Sequence, residues 1–179
     1  MIYFENPGKE NTERVLELAR TYAIENGIKT VVIASTTGYT AIKAYEIFKN
    51  DNINLIVVTH YTGFLKPNHQ QFSKKIKEEL EEKGVKILTC QHTFGGINKI
   101  SSDSIGNIIA NTLRMFSEGV KVGVEIALMA SDAGLVKSGE EIITISGTAK
   151  GADTALLLKT ANSTRIFDLR IKKVLAKPL

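Results

Sequence analysis

Thr30-Val31-Val32-Ile33-Ala34-Ser35-Thr36-Thr37-Gly38-Tyr39-Thr40 is the stretch that decides the fold. A short, continuous, β-branched run with no polar alternation suits a strand buried on both faces, as in a parallel sheet. It ends in hydroxyl residues and a glycine, and helical spacing then runs from about Tyr39 to Lys49. A strand that passes through a tight polar turn into a helix is the first half of a βαβ unit.

Outward from this stretch the cycle repeats. Upstream, Asn11-Thr12 offers an N-cap, and Val15, Leu16, Leu18, Ala19, Tyr22 and Ala23 recur at helical spacing until Gly27. Downstream come a strand at Leu55–Thr59, a helix from about Gln70 to Lys83, a strand at Val85–Thr89 and helical pattern from Ser104. Gly119 reads as a break between two helices, Gly123 as a point of close packing, and Val120–Val136 as a largely buried helix. After Gly139 a strand at Glu141–Ser146 leads to the polar loop Gly147–Asp153. Ala155–Lys159 and Ile166–Ile171, with Thr160–Thr164 between them, read as an antiparallel edge pair. The expected fold is a single α/β domain over residues 1–179, a three-layer α/β/α sandwich with a mostly parallel sheet of about five central strands.

Composition agrees and excludes other classes. At 179 residues and 43% hydrophobic, the chain can bury a core without staples, and its one cysteine, Cys90, forbids an internal disulfide. The net charge of +4 is dispersed, and the run Lys74–Lys83 alternates in sign like a solvated helix face. No basic cluster interleaves with aromatics, so nucleic acid is not expected as a partner. The start, Met1–Gly8, lacks the basic and long apolar regions of a signal peptide, and no apolar run approaches about 18 residues. A cytoplasmic protein with no membrane segment is expected.

In a parallel sheet the strand C-termini and helix N-termini share one edge, and ligands bind there where the strand order reverses. That edge collects the polar loops of this chain. Ser35-Thr36-Thr37-Gly38-Tyr39-Thr40 would aim backbone N–H groups, a helix N-terminus and hydroxyls at one anion, which describes a phosphate cradle. A cap needs one hydroxyl, and this turn offers several. The lysine of a Walker turn and the G-x-G-x-x-G fingerprint are both missing. The loop Thr59–Gln70 is long for a βα connection and suggests a lid. In it Tyr61 and Phe64 could stack on a planar ring while His60, Lys66, His69 and Gln70 bond its polar edge. Gly147–Asp153 adds Thr148, a lysine at Lys150, Gly151 for close backbone approach, and Asp153. His60, His69, His92 and Cys90 lack metal-ligand spacing, so no metal is expected. Catalytic roles stay unassigned, including for Cys90, His92, Glu125 and Asp132.

Thr36–Ala41, followed far downstream by Lys137-Ser138-Gly139-Glu140 and Thr144-Ile145-Ser146-Gly147, resembles the C-terminal α/β domain of pyruvate kinases. In that domain a strand enters a T-E-S-G-R-S/T turn and a K-x-G-D strand enters a T-G loop. The similarity runs from about Asn11 to Leu158. Pro7–Thr12, Val58–Phe64 and Gly147–Ala155 look more specifically like small stand-alone proteins of this fold from archaea and some bacteria. The kinase resemblance implies phosphate binding at Ser35, Thr36, Thr37, Gly38 and Thr40, as for a sugar-bisphosphate effector. The stand-alone resemblance implies flavin mononucleotide, with no established reaction. This chain has Tyr39 where the kinases have a basic residue, and its length is expected to exclude pyruvate kinase activity.

The expected ligand site therefore places phosphate on Ser35, Thr36, Thr37, Gly38 and Thr40, with Asn11 and Thr12 close by and Tyr39 also among the cofactor-binding residues. His60, Gly63, Phe64, Gln70 and the Thr148–Asp153 loop, with Lys150 and Gly151, enclose a ring. The resemblance allows an FMN-dependent enzyme, and a sensor of a phosphorylated metabolite without catalysis is the alternative. A dimer-based homo-oligomer is expected from the apolar Val120–Val136 helix and an exposed final strand at Ile166–Val174.

Overall fold

The computed structural model describes residues 1–179. In chain order the elements are β1 (Ile2–Phe4), α1 (Thr12–Glu25), β2 (Thr30–Ala34), α2 (Tyr39–Phe48), β3 (Asn54–Val58), α3 (Lys74–Glu82), β4 (Lys86–Leu88), α4 (Ile105–Arg114), α5 (Glu118–Asp132), β5 (Glu141–Ser146), β6 (Thr154–Lys159) and β7 (Arg170–Pro178). Seven strands form one sheet in the order β1-β7-β6-β5-β2-β3-β4. β2 pairs in parallel with β3 on one side and β5 on the other, and β4 extends the parallel half. Leaving β2, the chain builds outward through β3 and β4 and then returns to β5, so the strand order reverses between β2 and β5.

Alternation in β2 sorts the layers. Val31 and Ile33 face α1, α2 and α3, in a core with Leu16, Ala44, Phe48 and Leu80. Val32 faces the other way, into a core with Val124, Leu128 and Ala110 of α5 and α4. Both faces of the sheet are thus covered, and the three-layer α/β/α architecture with a mostly parallel sheet stands. No helix is long and apolar enough to cross a membrane.

Several boundaries differ from expectation for local reasons. The sheet has seven strands because Ile2–Phe4, too short to register as a pattern, pairs in parallel with the end of β7. β6 is an interior strand with antiparallel neighbours on both sides, β5 and β7. The final strand starts at Arg170 rather than Ile166, because Ser163–Asp168 coils into a short 3-10 segment. α3 starts at Lys74 rather than Gln70, capped by the Ser73 hydroxyl, which accepts from Ile76 N at 3.4 Å. Asn11 does not cap α1 with its side chain but donates to the Asn6 carbonyl at 2.8 Å.

Gly119 is no break: it lies inside α5, and the chain turns before it, around Phe116 and Ser117. A Cβ at Gly119 would stand 2.0 Å from Thr154 Oγ1, and one at Gly123 would stand 2.9 Å from Leu156 Cδ1. The two glycines, one helical turn apart, let α5 lie directly on β5 and β6. All of Gly119 to Ser131 except Val122 is buried, so this apolar helix is consumed within the domain and leaves no outward surface for a partner.

Gly119→Ala is expected to destabilise the fold by about 1–3 kcal/mol, the range for overpacking a close contact. Thr154→Ala in the same chain should recover part of the loss. Denaturant unfolding of the two single variants and the double variant measures that coupling.

Candidate functional site

The turn after β2 carries an unusual set of free donors. Ser35 N still continues the ladder to Val58 O at 3.0 Å, and the Ser35 hydroxyl accepts from Ala41 N at 3.3 Å, which meets the capping need of α2. The five N–H groups in between, from Thr36 through Thr40, have no acceptor within the protein, and the hydroxyls of Thr36, Thr37 and Thr40 donate to none. At Gly38 the backbone has φ +106°, and a Cβ would come 2.8 Å from Ile76 Cδ1. Only glycine lets the turn press against α3 while its amides point away. Free N–H groups, hydroxyls and the positive end of α2 make this an anion-binding concavity.

Across the strand reversal stands the β5–β6 connection, a hairpin loop rather than the βα turn of a parallel unit, closed by Asp153 N donating to Ser146 O at 3.0 Å. Asp153 is fully buried. Its Oδ2 accepts from Thr148 N at 3.0 Å and Gly8 N at 3.1 Å, and its Oδ1 accepts from the Thr154 hydroxyl at 2.7 Å. The Thr12 hydroxyl donates to Lys9 O at 2.6 Å and accepts from Ala152 N at 3.0 Å. These two side chains were expected to meet the ligand. Instead, they sit behind the wall and tie the segment around Gly8 and Lys9 to the hairpin loop.

What that tie presents is charge. Lys9 and Lys150, neither in an ion pair, line one cleft with Ser35, Thr36, Thr37, Tyr39, Thr40 and Gly151, and the cleft encloses about 630 Å³. The Lys9 ammonium lies 4.3 Å from the centre of the Tyr39 ring, so Tyr39 positions a cation beside the turn. Gln71, and Glu118 and Val122 one turn apart on α5, also line the cleft and were missed by sequence reasoning. They reach it only because α5 is seated so close to β5. Lys9 alone had a signal, within the Pro7–Thr12 stretch.

The lid loop folds inward. The Gln70 amide donates to His60 O and accepts from Phe72 N, both at 2.9 Å, and Gly63 N donates to His69 O at 3.0 Å, so Gln70 and Gly63 shape the loop rather than line the cleft. His60, two positions beyond Val58 at the end of β3, does line it and hydrogen-bonds Gln71 Oε1 through Nδ1 at 3.0 Å. The His60 and Phe64 rings stack at 4.0 Å, and His92, from the loop after β4, joins them 5.3 and 5.5 Å away.

Behind His60 a smaller chamber of about 180 Å³ continues from the cleft. In its lining the buried Lys121 and Glu125 form an ion pair one turn apart on α5, and Glu125 Oε1 also accepts from Phe94 N at 2.8 Å. Burial pushes the His92 imidazole down to about 4; Lys121, Lys99 and His60 act in the same direction, and Glu125 opposes them. The chamber therefore holds a neutral imidazole beside a compensated charge pair. Burial raises the Cys90 thiol, which disfavours the thiolate. Asp132 accepts from Ser163 N at 2.9 Å and serves the end of α5. Nowhere are three His, Cys, Asp or Glu side chains gathered to hold a metal ion.

Residues 13–159 match the family model described as "Pyruvate kinase, alpha/beta domain". Among solved structures, two of pyruvate kinase from Cryptosporidium parvum are similar at 16% and 17% identity, each with a TM-score of 0.42 and 81% of this chain covered. The second of them was solved in complex with ADP. This chain spans 22% of the length of each.

Asp153→Ala should cost about 3 kcal/mol of stability, since it strands the half-buried N–H groups of Thr148 and Gly8 and the buried Thr154 hydroxyl; a melting point within a degree of the parent would refute the tethering role. His92 predicts a second measurement. Its folded value of about 4 lies below the ordinary 6.5, so the unfolded chain binds a proton that the fold refuses. This contribution to stability is complete above pH 6.5 and is lost as the pH falls toward 4, by about 3 kcal/mol. His92→Gln should flatten that part of the pH profile, and the wild-type imidazole resonance should titrate near 4 rather than 6.5.

Proposed function

The chain belongs to the pyruvate kinase alpha/beta domain family, and from that premise we propose that it is a cytoplasmic binding protein for a small phosphorylated ligand, flavin mononucleotide, whose phosphate occupies the turn after β2. The observation that carries the reading is the run of five N–H groups, Thr36 to Thr40, with no acceptor in the protein. Unpartnered donors at a helix N-terminus favour an anion. Three free hydroxyls and the unpaired Lys9 and Lys150 ammonium groups favour one with several oxygens and more than one negative charge, as a phosphate monoester has.

The donor set fits that end of the nucleotide. The cleft volume lies within the roughly 300–1,000 Å³ of small-molecule sites, and His60 supplies a flat polar edge beside it. Flavin, when bound, would supply hydride or electron transfer. The protein's part is to hold the phosphate on Thr36–Thr40, to balance its charge with Lys9 and Lys150, and to keep water from the ring with His60, which Phe64 backs from the chamber side. The neutral His92 and the Lys121–Glu125 pair lie next to the cleft, where an imidazole can exchange a proton at its ring nitrogen.

A sugar-phosphate sensor without redox chemistry is the second reading, favoured by the same N–H groups together with the aromatic lid rings being packed on one another. Flavin fluorescence titration separates the two. Quenching that saturates and is displaced poorly by fructose bisphosphate supports the first, and binding of the sugar phosphate alone supports the second. Thr37→Glu places a carboxylate among the free amides and is expected to weaken either ligand at least tenfold, about 1.4 kcal/mol. An unchanged affinity in a folded Thr37→Glu protein would move the phosphate away from this turn.

A further inference from the structure

The chamber behind His60 carries more cation than its own carboxylates balance. Lys99, Arg114 and Lys121 line it, against Glu118 and Glu125. Arg114 Nε pairs with Glu118 at 2.6 Å and the buried Lys121 pairs with Glu125, which leaves Lys99 without a carboxylate. The Lys99 ammonium lies instead 4.6 Å from the centre of the Phe64 ring. Counted with histidine neutral, the lining holds one positive charge in excess.

Hydrogen-bond donors are in excess as well. An ammonium has three N–H groups, and that of Lys121 meets one acceptor in the protein, the Glu125 carboxylate. Neither ring nitrogen of His92 bonds to another protein group. Polar groups enclosed in this way are stable when acceptors reach them. An ionised carboxylate is the matching group, since it accepts through two oxygens, donates through none and brings a single negative charge. A phosphate dianion would exceed the charge available. The rest of the wall is apolar, with Val58, Phe94, Ala110, Ile126 and Met129. The volume of about 180 Å³ is that of about six liquid waters, so the occupant is short.

We infer that this chamber is a second binding site, for a small monocarboxylate whose head meets Lys121 and Lys99 and whose apolar body lies against Phe94, Ala110 and Met129. The inference does not rest on the flavin reading. Chamber and cleft share His60, Glu118 and Val122 in their linings. A carboxylate in the one therefore lies beside whatever the cradle holds in the other, and the domain brings two small molecules together on either side of His60.

Butyrate and its uncharged isostere butyramide are the probes, added to the full chain at neutral pH and constant ionic strength. Butyrate should shift the His92 ring resonances to saturation, with an affinity at least about tenfold above that of butyramide. Lys99→Met, at an exposed position, should weaken butyrate at least about fivefold. Lys121→Met alone would strand Glu125, so Lys121→Met/Glu125→Gln, which keeps an acceptor for Phe94 N, tests the buried ammonium and should weaken butyrate at least about tenfold. If that double variant misfolds, Lys99→Met and the butyramide comparison decide. Equal binding of butyrate and butyramide would overturn the inference, and so would an unchanged butyrate affinity in Lys99→Met. Inorganic phosphate, the probe of the cradle, should leave butyrate bound; displacement of butyrate by phosphate would put the carboxylate on Thr36–Thr40 and overturn the second site. Failure of flavin to bind in its own titration changes none of these outcomes.

Discussion

The parallel pairing of β2 with β5 is the constraint on which the rest depends. β2 holds β3 through Thr30↔Asn54 to Ala34↔Val58 and β5 through Val31↔Ile143 to Ile33↔Ile145. With both edges bonded and both faces covered, its C-terminal end cannot shift, and the amides of the next turn are held in one direction. The same pairing sets the strand reversal beside that turn. It also demands that α5 cross the sheet at that point, which the missing side chains at Gly119 and Gly123 permit. The anion cradle, the cleft and the chamber are all consequences of where these three elements meet.

Electrostatics follow from that placement. The cradle has a helix N-terminus and two unpaired lysines on the open side of the cleft, where water screens them until a ligand excludes it. Inside the chamber the arrangement is reversed. Lys121 and Glu125 compensate one another under nearly complete burial, and the backbone of Phe94 satisfies the second carboxylate oxygen. A buried pair of this kind is costly to break, because removing one partner strands the other. The two spaces share His60, Glu118 and Val122 in their linings, so a group held in the cleft lies next to a neutral imidazole and a compensated pair.

The loops of the cleft are held from behind. Asp153 and Thr12 carry no part of the lining, yet between them they bond the backbone at Gly8, Lys9, Thr148 and Ala152. Those bonds bring an N-terminal segment and a hairpin loop, some 140 residues apart in sequence, to the same wall. Ala149 in that loop has φ +60°, a conformation L residues adopt at a cost, and the tethers hold it there. The lid is arranged differently. Beyond Thr59, which bonds Leu88 O and the Thr89 hydroxyl, its residues hydrogen-bond mainly to one another, as Gln70 does to His60, and its far part meets the domain through ring contacts.

The sequence alone determined the alternation of strands and helices, the double burial of the Val31–Ile33 run, the hydroxyl-rich turn and the edge on which the polar loops gather. Each rests on periodicity or local backbone chemistry, which a chain carries at short range. Tertiary structure alone decided the rest. β1 and the interior position of β6 depend on a partner strand more than a hundred residues away or at the far end of the chain. Gly119 looked like a helix break because a lone glycine reads the same whether it ends a helix or makes room for Thr154. Thr12 and Asp153 looked like ligand contacts because a polar side chain in a polar loop gives no sign of which way it points. Lys9 acquired meaning only once Thr12 and Asp153 were seen to tie its segment to the hairpin loop, and Glu118 only once the rest of α5 was seen to be buried. Direction across a helix or a loop is set by packing between distant segments, and no local spacing records it.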